Sequence, residues 1–412
     1  MKRFLASMCT IAMIVVFGPA STAAPHTTWG RQIGQALTAV AVGPDGSIYL
    51  AGALANDGTL GETKALLVKL TPAGDVVWTR TWLPSDATRS DGSKVWTTGA
   101  TAVAVAPGGA IYLAGSVQRT NLEGGAWFIR KYAAGGRLLY AFAAKQPIGR
   151  MPQYVSAIAA MGDRVVVAGH GYGCCDDPTT DGWVRAFDPR LHPTWRAQFE
   201  PPAPIPTAWY DMAEGVAIDA GGNVFVSGWA ATSASNPDTI YRGRGTVVLE
   251  KLSSTGDLLW SHRTTDTVMR DRGAVSVAVR GDRVVVSAPI QRSKTAAWLG
   301  RFSLGGALLW SRTWGSPKFG TVPAGVAIDP SMTTWVVGTR HDPTPPPGTG
   351  LSIRRFDADG NALSALLPGG GIRFLSGSGI AVRGAGAVVT GSEVTGPKGG
   401  GQMAGHVWRI VA

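Results

Sequence analysis

One phrase returns along the chain and constrains its fold more than any single residue does. It reads TAVAVGPDGSIYLAG from Thr38, TAVAVAPGGAIYLAG from Thr101 and EGVAIDAGGNVFVSG from Glu214. Looser copies begin at Ser156, Val275, Ala324 and Ser378. A period of roughly 50 to 60 residues marks an array whose units are too small to bury their own apolar faces and rely on their neighbours. Within each unit the apolar period is two. Ile48 to Ala51 follows the turn Gly43-Pro44-Asp45-Gly46, a third run covers Ala65 to Leu70, and Val76 to Thr81 follows the turn at Thr71 to Asp75. Short Val-, Ile-, Tyr- and Trp-rich runs bounded by Gly, Pro and Asp are strands joined by tight turns. No stretch carries a sustained helical stripe.

Four antiparallel strands repeated seven times make an all-β, seven-bladed β-propeller. The last copy stops after its third strand, His406 to Ile410, while TTWGRQIG from Thr27 resembles VVWTRTWLP from Val76. A propeller ring loses its free edge when its two chain ends share a blade. Thr27 to Ile33 is therefore expected to supply the outer strand of the last blade. Each fourth strand carries a ring at one place: Trp78, Tyr140, Trp195, Trp260 and Trp310, with Ser364 departing from the pattern. Packing between blades is the expected role, since a large flat ring buries the most area. Each third strand ends on a cation before an apolar residue, as in Lys69-Leu70, Lys251-Leu252 and Arg355-Phe356, with Ala186-Phe187 the exception. These cations are expected to run along the sheet toward the following turn.

The repeats resemble the bacterial seven-bladed β-propeller repeat family often called SBBP. The residues that carry the likeness are GVAIDAGGNVFVSG from Gly215 and VVLEKLSSTGDLLW from Val247. The resemblance implies the propeller architecture and a secreted or surface protein, and it implies no particular reaction.

Residues 1–24 have the order of a secretory signal: Lys2 and Arg3, an apolar run from Phe4 to Phe17, then Ser21 to Ala24. The single domain expected after it is 25–412. Removing Lys2 and Arg3 lowers the formal charge of +11 by two and leaves a basic protein with a field suited to anionic partners. With 16% charged and 45% hydrophobic residues the composition excludes disorder. The expected location is secreted, periplasmic or at the cell surface, with no membrane span, and the expected state is a monomer.

In an up-and-down meander the first-to-second and third-to-fourth connections share one end of the ring. Those are short, and the long connections therefore crowd the other end, where function usually sits. The candidate binding residues there are Trp96, Arg119, Trp209, Tyr210, Arg242, Arg244, Arg340 and His341. Arg beside aromatic rings suits an anionic glycan, a cell-surface polymer or a protein, and no nucleic-acid module is present. Cys174-Cys175 has three readings: a vicinal disulfide, free thiols, or a metal site with His170, Asp176, Asp177 or Asp181. Adjacent cysteines suit one tetrahedral ion poorly, so no metal site is assigned.

No H-E-x-x-H, G-x-S-x-G or phosphate loop occurs, and no catalytic residue or cofactor is assigned. The function expected is a non-enzymatic binding or scaffold propeller. The alternative is an enzyme with its site at the central channel of the long-loop end, a polysaccharide-acting enzyme or a quinoprotein-like dehydrogenase. AGDVVW, TGDLLW and GGALLW are similar to quinoprotein blade ends, but seven repeats and the missing A-x-D-x-x-T-G-K-x-x-W motif depart from that class.

Overall fold

The computed structural model describes residues 26–34, 36–55, 63–84, 96–119, 125–145, 153–172, 180–199, 211–231, 244–269, 274–291, 295–315, 320–342, 348–366, 375–395 and 402–411. Their strands form seven blades of four antiparallel strands each. Strand β1 (His26–Gln32) comes first in the chain and last in the ring. Blade 1 is β2 (Ala36–Val42), β3 (Ile48–Ala55), β4 (Thr63–Leu70) and β5 (Val76–Trp82). Blade 2 is β6 (Trp96–Val105), β7 (Ile111–Arg119), β8 (Gly125–Tyr132) and β9 (Leu138–Lys145). Blade 3 is β10 (Gln153–Met161), β11 (Arg164–Tyr172), β12 (Thr180–Phe187) and β13 (Pro193–Phe199). Blade 4 is β14 (Asp211–Ile218), β15 (Val224–Ala231), β16 (Arg244–Leu252) and β17 (Leu258–Met269). Blade 5 is β18 (Ser276–Arg280), β19 (Arg283–Gln291), β20 (Thr295–Phe302) and β21 (Leu308–Trp314). Blade 6 is β22 (Gly320–Ile328), β23 (Thr334–Asp342), β24 (Gly348–Phe356) and β25 (Ala362–Leu366). Blade 7 takes β26 (Leu375–Arg383), β27 (Gly386–Thr395) and β28 (Gln402–Val411) from the end of the chain, and β1 from its start.

Ring closure follows the sequence expectation. β1 pairs antiparallel with β28, setting Gly30 opposite Trp408 and Gln32 opposite His406. The first strands of successive blades touch in cyclic order, and β2 against β26 closes the circle. The apolar core is divided in the same way. Each of its seven clusters sits between two adjacent blades, from Tyr49, Leu67 and Phe128 at the first seam to Leu50, Val388 and Val407 at the last. A single blade buries neither of its faces alone, which is the physical reason the unit must repeat.

The repeat phrase ends on glycine for a steric reason. The inner strand of blade 1 bulges between Leu37 and Ala39, which pushes the Ala36 carbonyl toward β3. A β-carbon on Gly52 would run into that oxygen, and one on Gly115 would meet the Gly99 carbonyl in blade 2. Blade 5 tests the account. Its inner strand begins only at Ser276, past this point, and Ala288 stands where the other blades have glycine.

Candidate functional site

Antiparallel pairing gives the ring two unlike ends. The short turns all lie at one of them. There the third-strand cations do something the sequence reading did not anticipate: they reach past their own turn to the next blade. Lys69 Nζ donates to the Ala134 carbonyl at 3.2 Å, Lys131 Nζ to Pro189 at 2.7 Å, and Lys251 Nζ to Leu304 at 3.3 Å. Arg301 Nη1 donates likewise to Ala358 at 2.9 Å. The fourth-strand indoles converge on the same places. Trp78 Nε1 donates to Ala134, Trp260 Nε1 to Leu304 and Trp310 Nε1 to Ala358, at 3.1 to 3.2 Å. These third-strand cations are thus committed to holding the blades together. The turn carboxylates are committed as well. The Ser47 hydroxyl holds Asp45 below the usual carboxylate range, and the Thr255 hydroxyl does the same for Asp257.

A cleft of about 580 Å³ does open at the short-turn end, between blades 5 and 6, lined by Asp282, Arg283, Met332, Asp357, Asp359 and Leu363, among others. Arg283 Nη1 donates to the Met332 carbonyl at 2.7 Å, and Arg301 Nη2 lies 3.8 Å from Asp282.

The candidate residues named from the sequence fall at the other end. Trp96 and Arg119 are brought together as cross-strand partners on β6 and β7 of blade 2. Arg244 opens β16 of blade 4, opposite Met269. Half-buried Arg340 and exposed His341 stand near the end of β23 in blade 6, opposite Gly350 and Thr349. These positions share one end of the ring but sit on alternate blades. Trp209, Tyr210, Arg242, Cys174 and Cys175 lie outside the described residues. So does the leader, residues 1–24.

Where the inner strands line the channel, a belt of polar side chains runs around the ring. A bulge in the inner strand of blades 1, 2 and 7 frees a Ser or Thr from the ladder and turns its side chain toward the next blade, and Ser276 at the start of β18 does the same in blade 5. Thr38 Oγ1 donates to the Ala100 carbonyl at 2.7 Å, and Thr101 Oγ1 to Val155 at 2.8 Å. Ser276 Oγ donates to Ala324 at 3.1 Å, and Ser378 Oγ returns to Leu37 at 2.7 Å, closing the belt. Each such bond is worth about 1 kcal/mol.

Three blades depart from this pattern: in blade 6 the belt position is Ala324, which has no hydroxyl to donate. In blade 4 the belt position is Glu214, whose Oε2 accepts the Val275 N–H at 2.7 Å. In blade 3 it is Ser156, whose Oγ lies 3.3 Å from Nδ1 of His170 on the adjacent strand. The His170 ring stacks on Tyr154, with centroids 5.4 Å apart. Ser156, His170 and Tyr154 are each half-buried. The sequence reading missed this cluster. Its one legible signal was a histidine in a repeat whose other copies carry Ala53, Ser116, Trp229, Pro289 or Thr339 at that place. Among the described residues no three His, Cys, Asp or Glu side chains gather where a metal ion could be held, and no helix is long and apolar enough to cross a membrane.

The fold therefore defines a seven-bladed β-propeller with a polar channel mouth. No protein-family model matches the chain, and no curated protein matches it. Solved structures do resemble it. A protein of unknown function from Dyadobacter fermentans DSM 18053 shares 13% identity over 94% of this chain and 99% of its own, with a TM-score of 0.48. The Hadza microbial sialidase Hz136 shares 13% over 76% and 63%, at 0.49. The GH93 α-L-arabinofuranosidase of Fusarium graminearum shares 10% over 79% and 92%, at 0.46.

Proposed function

We propose that the protein is a secreted or cell-surface binding propeller of the SBBP repeat type, acting as a monomer, whose long-loop end engages an anionic glycan, surface polymer or protein. The observation that carries this reading is the division of labour between the two ends. Lys69, Lys131, Lys251 and Arg301 at the short-turn end are used up in bonds between blades. The basic excess that can meet a partner is therefore sought at the other end, where Arg119 ends β7 opposite Trp96, Arg244 opens β16, and Arg340 precedes His341 near the end of β23. The signal-like order of residues 1–24 supports export.

Heparin, as a defined polyanion, provides the test. Binding should weaken as salt rises through the range in which the screening length falls to about 8 Å. The double change Arg119→Ala with Arg340→Ala should reduce it, while Arg80→Ala at the short-turn end should not. Binding that ignores salt, or that is lost only with Arg80→Ala, overturns the reading.

A second reading, an enzyme with its site at the channel mouth of the same end, is favoured by one observation: the Ser156 hydroxyl lies against His170 of its own blade.

A further inference from the structure

A hydroxyl that could serve the repeat as its counterparts do, and is turned elsewhere, is where a separate role should be sought. Ser156 carries such a hydroxyl. Its counterparts Thr38, Thr101, Ser276 and Ser378 all donate to a carbonyl of the next blade. Ser156, among the described residues, instead meets His170 Nδ1 within its own blade.

The surroundings of the pair complete a recognisable chemistry. Val166 and Ala168 of β11 pack with Ala213 of β14 in the core between blades 3 and 4. Side chains alternate along a strand, so His170 follows Val166 and Ala168 onto that face. By the same alternation Asp211, two residues before Ala213 on β14, is placed on the face of the opposite blade that meets this seam. Ser156 is the bulged residue of β10, unpaired in the ladder and aimed at this seam. The Tyr154 ring stacked on His170 fixes the plane of the imidazole. A hydroxyl within reach of an imidazole that a third group orients is the arrangement that activates a serine, and such contacts are commonly loose before substrate binds.

We infer that Ser156 and His170 form a nucleophile–base pair for ester substrates, with Tyr154 and Asp211 as positioning residues. The inference rests on the channel-mouth enzyme reading and names its reaction class. In the first step the Ser156 Oγ–H proton passes to His170 Nδ1 while Oγ bonds to the acyl carbon. The ester C–O bond breaks, and the leaving alcohol takes the proton back from the imidazole. Water then adds to the acyl-serine, His170 accepts its proton and returns it to Oγ, and the carboxylic acid departs. Tyr154 on β10 is the ring that faces the imidazole, Asp211 on β14 shares the strand face of Ala213 across the seam, and the balance requires no co-reactant other than water.

The test uses the full chain with a fluorophosphonate probe, which phosphonylates an activated serine with loss of fluoride. The expected result is a single adduct mapped by mass spectrometry to Ser156. Its rate should rise with pH and level off as the imidazole loses its proton. His170→Gln should lower that rate at least tenfold, whereas Ser276→Ala, a belt residue of blade 5, should leave it unchanged. p-Nitrophenyl acetate hydrolysis should follow the same order. An unlabelled protein, an adduct on another serine, or labelling indifferent to His170→Gln overturns the inference. Heparin binding is read in parallel, so loss of this inference and loss of the binding role are separate results.

Discussion

The indole of Trp260 lies flat against Gly306 of the next blade, so close that a β-carbon there would stand 2.9 Å from the ring. Gly306 has φ +91°, a conformation that favours glycine. The same pairing sets Trp29 on Gly74, Trp78 on Gly136, Trp195 on Gly256 and Trp310 on Gly360. Two seams lack it. Tyr140 stands where blade 3 offers Leu191, at φ 66°, in place of glycine. Ser364 stands where blade 7 has no third-to-fourth turn, because both chain ends meet there. Arg355, without a neighbouring turn to reach, has its Nη1 3.2 Å from Ser364 Oγ.

Replacing Gly306 with Ala should therefore destabilise the fold by about 1–3 kcal/mol, from strained φ and contact with the ring. Trp260→Ala should cost about 2 kcal/mol, less than the roughly 3–5 of a fully buried ring, since Trp260 is only half-buried. The two should be non-additive in urea denaturation, because removing the indole relieves the contact but leaves the backbone strain.

Amide hydrogen exchange should find the seam between blades 6 and 7 the loosest. β25, with Ser364 in place of the clamping indole, should exchange faster than β21, whose Trp310 holds the Ala358 carbonyl. Equal protection of the two strands would contradict the clamp account.

Deleting residues 26–32 removes β1 and bares the edge of β28. An unpaired edge is a template for association. The truncated chain should aggregate or melt well below the intact protein in light scattering and thermal denaturation.

Burial holds His262 below the usual histidine value, with its ring against Phe302 of the next blade at 4.9 Å. A base whose folded value is depressed takes up protons more readily when unfolded. Its contribution is complete above the unfolded value of about 6.5 and is lost as pH falls below it. Chemical-denaturation midpoints should fall between neutral and mildly acidic pH, and His262→Gln should flatten that slope. Asp45 and Asp257 shift downward as acids, so their contribution persists to about pH 4 and is lost below it. A second acid limb should appear there.

The architecture was legible because a period-two pattern, tight turns and a fixed copy number are local properties of the chain. The shared last blade was legible too, since the text from Thr27 matches the fourth-strand text from Val76. The destination of Lys69 was not. Its own turn is nearer in sequence, and only the angle between blades brings the Ala134 carbonyl within reach. Trp96 and Arg119 were named separately, and it took the register of β6 on β7 to make them partners.

The Ser156–His170 contact was hidden for the same reason. Fourteen residues separate the two, and whether they share a face depends on a one-residue bulge that no local propensity announces. The sequence by itself determined the strands, the turns, the number of blades and the strand that closes the ring, because these follow from short-range patterning and repetition. Only the tertiary structure decided which carbonyl each cation and indole reaches, and where the polar belt breaks. Those outcomes depend on register, bulges and the packing of one blade on the next, which bring together groups about fifty residues apart.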